Sequence, residues 1–204
     1  MRSPFCNRPR GGAAAPRRAA LLTVLIAAVG ASLPAPAAEQ FSVEAEARGS
    51  AVAVEARATL NASLPVAWAT LTDYDHLADF IPGIEASRTL ERHGSLVTVE
   101  QRGEMKFLFL HFPVEAVIEA DERYPLAIDA RMVRGNVRLL RAGYRLQPGP
   151  DDGRFVLHWS GIVQPQFWIP LFISVSVVRG NIETQFRAMV EEIERRQAAR
   201  GPAD

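Results

Sequence analysis

Cysteine is almost absent from this sequence, in which Cys6 is the single example among 204 residues. A lone cysteine cannot form a disulfide within the chain or supply a multi-thiolate metal site. The fold must therefore be stabilised by its hydrophobic core. With 48% hydrophobic residues, the chain is long enough to bury one.

Motifs for metal binding and catalysis are missing as well. The four histidines lie in separate segments, without a His-x-x-x-His pair or a matching carboxylate spacing. There is no Gly-x-Ser-x-Gly nucleophile elbow and no phosphate-binding glycine loop. We therefore predict no metal, no cofactor and no catalytic residue. The histidines are His76, His93, His111 and His158.

An excess of positive charge is also missing, since 23 Lys and Arg balance 23 Asp and Glu. Five of the basic residues lie before Ala38, which leaves 18 basic against 23 acidic residues in the remainder, a net charge of about −5. Non-specific nucleic-acid binding requires a basic surface. The sequence therefore predicts no nucleic-acid partner.

The first 37 residues have the pattern of a secretory signal peptide. Five arginines and no acidic residue precede an apolar run from Ala19 to Leu33, and Ala35-x-Ala37 supplies small residues for cleavage. At 15 residues the run is short for a membrane span. We predict a signal peptide over 1–37 and a single domain over 38–204, with its core at about 41–197. The domain is expected to be exported to the periplasm; the alternative is an inner-membrane anchor formed by an uncleaved signal.

The segment from Phe41 to Asn61 alternates apolar and polar residues, as half-buried strands do. The alternation changes phase at Gly49-Ser50, which indicates a bulge or a tight turn within a long strand region. Two short helices are predicted next, the first opening near Ser63 and the second ending at Phe80 before Pro82-Gly83.

From Ile84 to Gln164 the pattern predicts an antiparallel meander with one buried face. The period then changes to three or four residues, which predicts an amphipathic helix of about 20 residues. The expected fold is an α+β domain in which a curved antiparallel sheet of about six or seven strands surrounds a long C-terminal helix, with the two short helices after the first strand. The apolar positions that define the predicted C-terminal helix are Val178, Ile182, Phe186, Met189 and Ile193.

Two segments are more apolar than this pattern requires. Residues 105–112 are apolar on both strand faces, which indicates burial or a cover formed by another segment, a partner or a membrane. Residues 166–178 are apolar but interrupted by Pro170. They could line a cavity entrance or touch a lipid surface, or the C-terminal helix could simply begin early, near Leu171.

One motif resembles the N-terminal signature of the START-like (SRPBCC) superfamily, in its polyketide cyclase/dehydrase and coenzyme-Q-binding branch. Arg88-x-Leu90-Glu91-Arg92-x-Gly94 and the closing helix continue the resemblance, which covers roughly 41–196. The signature reads Pro65-x-x-Trp68-x-x-Leu71-x-Asp73-Tyr74-x-x-Leu77-x-x-Phe80-Ile81-Pro82.

The resemblance implies a helix-grip fold with an apolar cavity between sheet and helix, where family members bind lipids, quinones, polyketides or hormones. We accordingly expect an exported domain that binds a hydrophobic small molecule or lipid without catalysis, with transient membrane-surface contact. Its ligand and oligomeric state stay open, as does the choice among transport, storage and sensing. The residues expected to line the cavity are Trp68, Tyr74, Phe107, Trp159, Trp168, Ile182, Phe186 and Met189.

Two other functions remain alternatives. An enzyme of the cyclase/dehydrase type would need a titratable group in the cavity, for which Tyr144, Asp129 and His158 are the candidates. A module that binds a protein partner would instead expose an apolar patch around 107–112.

Overall fold

The computed structural model describes residues 41–107, 110–149, 154–164 and 171–201. The predicted signal peptide lies outside the described residues, so its cleavage stays a prediction. No described helix is long and apolar enough to cross a membrane.

The alternating segment that begins at Phe41 forms two strands rather than one. Strands β1 (Phe41–Arg48) and β2 (Ala51–Leu60) pair antiparallel, with Arg48 opposite Ala51 across the two-residue turn. Gly49 has a φ of 63°, which a tight hairpin turn requires and which glycine adopts without strain. The predicted tight turn is confirmed, but the two short helices follow the second strand rather than the first.

Helix α1 (Leu64–Leu71) begins after Ser63, with a proline in its first turn. A 3-10 turn (Tyr74–His76) and helix α2 (Leu77–Phe80) follow it. Gly83 then reverses the chain with a φ of 86°. Both predicted helices are therefore present, the second as a 3-10 turn continued by one α-helical turn.

Six further strands complete the sheet. Every neighbouring pair is antiparallel, and the spatial order is β1-β2-β8-β7-β6-β5-β4-β3. The described residues thus form eight strands instead of the expected six or seven, because the first strand region folds back at Gly49. The six are β3 (Ile84–His93), β4 (Leu96–Phe107), β5 (Leu110–Arg123), β6 (Ala127–Gly135), β7 (Leu139–Pro148) and β8 (Phe155–Gln164).

Helix α3 (Leu171–Arg200) is 30 residues long, not about 20, and starts at Leu171. The early start that the sequence left open is therefore confirmed, whereas residues 166–170 lie outside the described residues and their place at a cavity entrance or lipid surface stays a prediction. Its buried residues Phe186, Met189 and Ile193 pack on the inner face of the sheet, where the core lies. This arrangement confirms the predicted helix-grip architecture.

The sheet has two distinct ends. At the cavity end lie the β1–β2 turn, the β6–β7 turn and the first turns of α3; Arg138 N donates to Gln164 O at 2.9 Å there. At the base end lie α1, α2 and the last turns of α3, joined by a hydrogen bond of 3.0 Å from Ser63 Oγ to Gln197 Oε1.

Candidate functional site

A cavity of about 140 Å³ lies between the inner face of the sheet and α3, at the cavity end. Strands β4, β5, β7 and β8 and the start of β3 supply one wall, and the second to fourth turns of α3 supply the other. Most side chains that line it are aliphatic, so it favours apolar groups. The aliphatic lining includes Met105, Val114, Ile118, Leu140, Val163 and Ile182.

Two glycines let the chain pass closely beside this cavity. Glu104 N donates a hydrogen bond of 2.9 Å to Gly83 O, which holds the start of β3 against β4. A Cβ atom on Gly103 would lie 1.9 Å from Gly83 O, so no larger residue fits there. The sequence did not single out Gly103, because a glycine within a strand pattern has several structural explanations.

Three uncharged polar side chains also line the cavity, namely Gln101, Asn181 and Gln185. Gln101 follows Val97 and Val99 on the inward side of β4, where the alternation calls for an apolar residue. Asn181 and Gln185 are one helical turn apart on α3. The sequence analysis did not identify any of the three. The polar Gln101 on the otherwise apolar inward side of β4 could have indicated the cavity.

Of the eight side chains expected at the cavity, Ile182 lines it. Phe186 and Met189, further along α3, are 2% and 3% exposed and belong to the core. Trp159 is also a core residue, and its indole covers the inner side of Gly161. Large apolar residues thus fill the core, while smaller ones line the cavity.

The other four side chains expected at the cavity either lie at the base end or are not described. Trp68 makes an edge-to-face contact with Tyr124 at the base end, with ring centroids 5.3 Å apart. Tyr74 is buried at the same end. Phe107 ends β4, but its side chain is outside the described atoms, and Trp168 lies outside the described residues. The ligand contacts of all eight stay predictions.

Tyr74 lies beside a pair of charged side chains at the base end. Burial and the nearby negative charge of Glu122 raise the pKa of the Tyr74 phenol well above its usual range. Glu122 in turn accepts a hydrogen bond of 2.7 Å from Arg92 Nη1. The Arg92–Glu122 pair joins β3 to β5 beside Tyr74, whose buried hydroxyl has no hydrogen-bond partner among the described residues, and the whole group lies away from the cavity.

None of the three candidate catalytic side chains is among the described residues that line the cavity. Tyr144 faces the core, and burial raises its pKa so that it stays protonated. Asp129 pairs with Arg145 and Arg123. His158 Nε2 lies 3.6 Å from Glu55 Oε2.

A second ionic cluster fixes α3 at the base end. Arg196 Nη1 donates to Asp73 Oδ2 at 2.8 Å, and Arg196 Nε donates to Glu192 Oε1 at 2.6 Å. Hydrogen bonds from Arg195 and Arg196 lower the pKa of Glu192 to about 2 against the opposing effect of burial. Partial burial would raise the pKa of Asp73, but hydrogen bonds from His76 and Arg196 outweigh it and hold that pKa below its usual value.

Within the described ranges, no group of three His, Cys, Asp or Glu side chains is placed to hold a metal.

Residues 60–190 match the family of polyketide cyclase / dehydrase and lipid transport proteins. This match covers more than half of the chain. No curated protein matches the sequence.

Several solved structures share the fold. The Zhui aromatase/cyclase from Streptomyces sp. R1128 is 19% identical with a TM-score of 0.63, and the match covers 75% of this chain and 99% of that one. The STAR-related lipid transfer protein from Xanthomonas axonopodis is 15% identical with a TM-score of 0.61, over 78% and 96% of the two chains. A START superfamily protein from Mycobacterium smegmatis is 14% identical with a TM-score of 0.54, over 72% and 97%. At these identities the similarity establishes the fold alone.

Proposed function

Because the chain belongs to the polyketide cyclase/dehydrase and lipid transport family, we propose that it binds a hydrophobic small molecule or lipid in its cavity without chemistry. The observation that carries this proposal is the aliphatic cavity of about 140 Å³ between sheet and helix. No titratable side chain of the described lining faces into it, since Arg102 and Glu104 alternate with the inward Gln101 and Gly103.

Binding is driven by desolvation of the ligand. Apolar ligand surface leaves water for a pocket that is already formed, which is favourable in proportion to the buried area. Burial of roughly 150 Å² would contribute roughly 4 kcal/mol before association costs are subtracted. Association costs are of similar size or larger, so a ring-sized group alone would bind weakly, and groups outside the cavity would add to the affinity.

We place this activity outside the cytoplasm, on the basis of the signal-peptide pattern in residues 1–37. A periplasmic binding domain would exchange its ligand with a membrane or a partner, through transient contact with the membrane surface. The alternative is a domain that an uncleaved signal keeps at the inner membrane.

Native mass spectrometry of the full chain, expressed with its own N-terminus and purified gently, tests both points. We expect a co-purified hydrophobic compound and a polypeptide mass reduced by residues 1–37. An intact N-terminus would contradict cleavage, and the complete absence of a bound compound would contradict ligand binding in the cell.

A cavity-filling variant makes the test specific to this site. Ala116 lines the cavity and is 6% exposed, so Ala116→Phe directs a phenyl ring into it. A cavity of about 150 Å³ holds benzene, so one ring fills most of the available space. Ala53→Phe, at a half-buried position of β2 outside the cavity lining, is the matched control. We expect Ala116→Phe to lose the compound and Ala53→Phe to retain it; equal retention would place the ligand elsewhere.

The second candidate is an enzyme of the cyclase/dehydrase type, favoured by the family match and by the fold shared with the Zhui aromatase/cyclase. Its candidate acid is Tyr144, which lies on the inward face of β7 but in the core, outside the described cavity lining. An enzyme that uses this hydroxyl as an acid would release a converted product. Tyr144→Phe would then retain the bound compound but abolish its conversion. Under the binding proposal, the compound from Tyr144→Phe is chemically identical to that from the unchanged protein.

A further inference from the structure

The uncharged polar groups of the cavity lining limit the chemical classes of ligand that the cavity can bind. Gln101 on β4 and Gln185 on α3 line the same cavity from opposite walls. Gln185 Nε2 donates to Pro82 O over 3.4 Å, a long hydrogen bond that engages one of the two amide hydrogens. The second hydrogen and the oxygen of this amide have no partner among the described residues, so Gln185 can still donate to a carbonyl or accept from a hydroxyl. An amide donates and accepts hydrogen bonds without carrying charge, so this pair matches a hydroxyl or a carbonyl group.

The charged residues of the lining do not offer a partner for an anion. Arg102 alternates with Gln101 along β4, its side chain is 60% exposed, and its guanidinium lies 3.9 Å from Glu100. Glu104 pairs with His111 at 2.7 Å. An ionised carboxylate or phosphate in this cavity would therefore lose its hydration without gaining a cation among the described residues, which is costly.

We propose that the cavity selects an uncharged ligand group of about one ring in size, whose hydroxyl or carbonyl lies between Gln101 and Gln185. This inference rests on the proposed function and specifies its ligand class. The size follows from the volume of about 140 Å³, which is close to that of a cavity that holds benzene. A larger ligand would place only its compact neutral part here.

Three ring-sized probes test the selection on the full chain. Acetophenone carries a carbonyl, ethylbenzene is its apolar counterpart, and benzoate is an anion at pH 7. Dissociation constants are measured by NMR chemical-shift titration. We expect acetophenone and ethylbenzene to bind, and benzoate to bind at least about tenfold more weakly than acetophenone because its charge is buried unpaired.

Two variants measure the contribution of the amide groups to ligand preference apart from that of the aliphatic lining. Gln101→Leu and Gln185→Met remove one hydrogen-bonding group each at similar volume. A lost hydrogen bond costs about 1 kcal/mol, so the preference for acetophenone over ethylbenzene should fall about fivefold in each variant. Gln147→Leu changes an exposed glutamine of β7 outside the cavity lining and should leave the preference unchanged. The two substitutions lie on different elements, so either one tests the proposal if the other prevents folding.

The outcomes distinguish this inference from the proposed function. If neither acetophenone nor ethylbenzene binds, the cavity is not a ligand site and both proposals are wrong. If both probes bind but the preference survives in the variants, or benzoate binds as tightly as acetophenone, the amide selection is wrong and the proposed function stands.

Discussion

The two ends of this domain hold the same helix against the same sheet by different means. At the base end, Arg196 joins Asp73 to Glu192, and Ile193 is fully buried beside them. At the cavity end, the described contacts of α3 with its neighbours include hydrogen bonds to backbone carbonyls, such as Gln185 Nε2 to Pro82 O at 3.4 Å, and a cavity remains beside them. The base end is closely packed and carries an ion pair between α3 and the turn that follows α1, whereas the inward-facing lining at the cavity end is uncharged and incompletely filled.

This difference shows how a small domain can retain a cavity. An unfilled space costs stability because its lining atoms lose contacts on one side. The cost is tolerable here because the other half of the helix is fixed by close packing and by ion pairs. The comparison can be tested by identical substitutions made at the two ends.

The largest effect is expected from removing the same side chain at each end. Ile193→Ala should lower the free energy of unfolding by about 3–4 kcal/mol, because Ile193 is 0% exposed and its loss leaves a new cavity. Ile182→Ala should cost only about 1–2 kcal/mol, because Ile182 is half-buried and already borders a cavity. Urea denaturation measures both. Equal losses would mean that the two ends are packed alike.

Adding a methyl group at either of two glycines of the cavity end should change the free energy of unfolding in opposite directions. Gly103→Ala should destabilise the domain by about 2–3 kcal/mol, since its Cβ would overlap Gly83 O. Gly180→Ala, on the exposed side of α3 with no atom within 4 Å of the new Cβ, should stabilise it by about 1 kcal/mol. Thermal denaturation of the pair is the measurement. A tolerated Gly103→Ala would show that the approach of Gly83 to β4 is not needed.

The smallest effect concerns pH and the base end alone. The folded pKa of Glu192 is about 2, below its ordinary value of 4.5, so its contribution is fully present above pH 4.5 and is lost as the pH falls toward 2. We expect this loss to be roughly 1–2 kcal/mol after allowance for solvent screening. Glu192→Gln should remove this part of the acid dependence of unfolding. An unchanged acid dependence would mean that the carboxylate is not stabilised in the fold.

The sequence predicted the helix grip well because its signals are local. Alternation along the strands, the phase change at Gly49 and the spacing from Val178 to Ile193 each depend on neighbouring residues. The number of strands was underestimated for the same reason, since a two-residue turn and a bulge give the same change of phase.

The site was harder to predict because a cavity forms where side chains leave space unfilled, and no local sequence pattern marks such a space. Phe186 and Trp159 were expected to line the cavity, but these large apolar side chains fill space and lie in the core. Gln101 and Gln185 were not among the expected cavity residues, although both line the cavity beside apolar neighbours. The ion pair of Asp73 with Arg196 joins residues 123 apart in sequence, a separation that no local pattern can bridge.

One contact of α3 also bears on aggregation. Among the described residues the sheet is open, with β1 and β3 as its edges, and an unpaired edge can add a strand from another chain. Arg179 Nε donates to Val43 O at 3.1 Å and so occupies a backbone acceptor on β1. A second chain could pair with β1 at this point only by displacing the arginine. The helix that forms one wall of the cavity therefore also protects an edge of the sheet from association between chains.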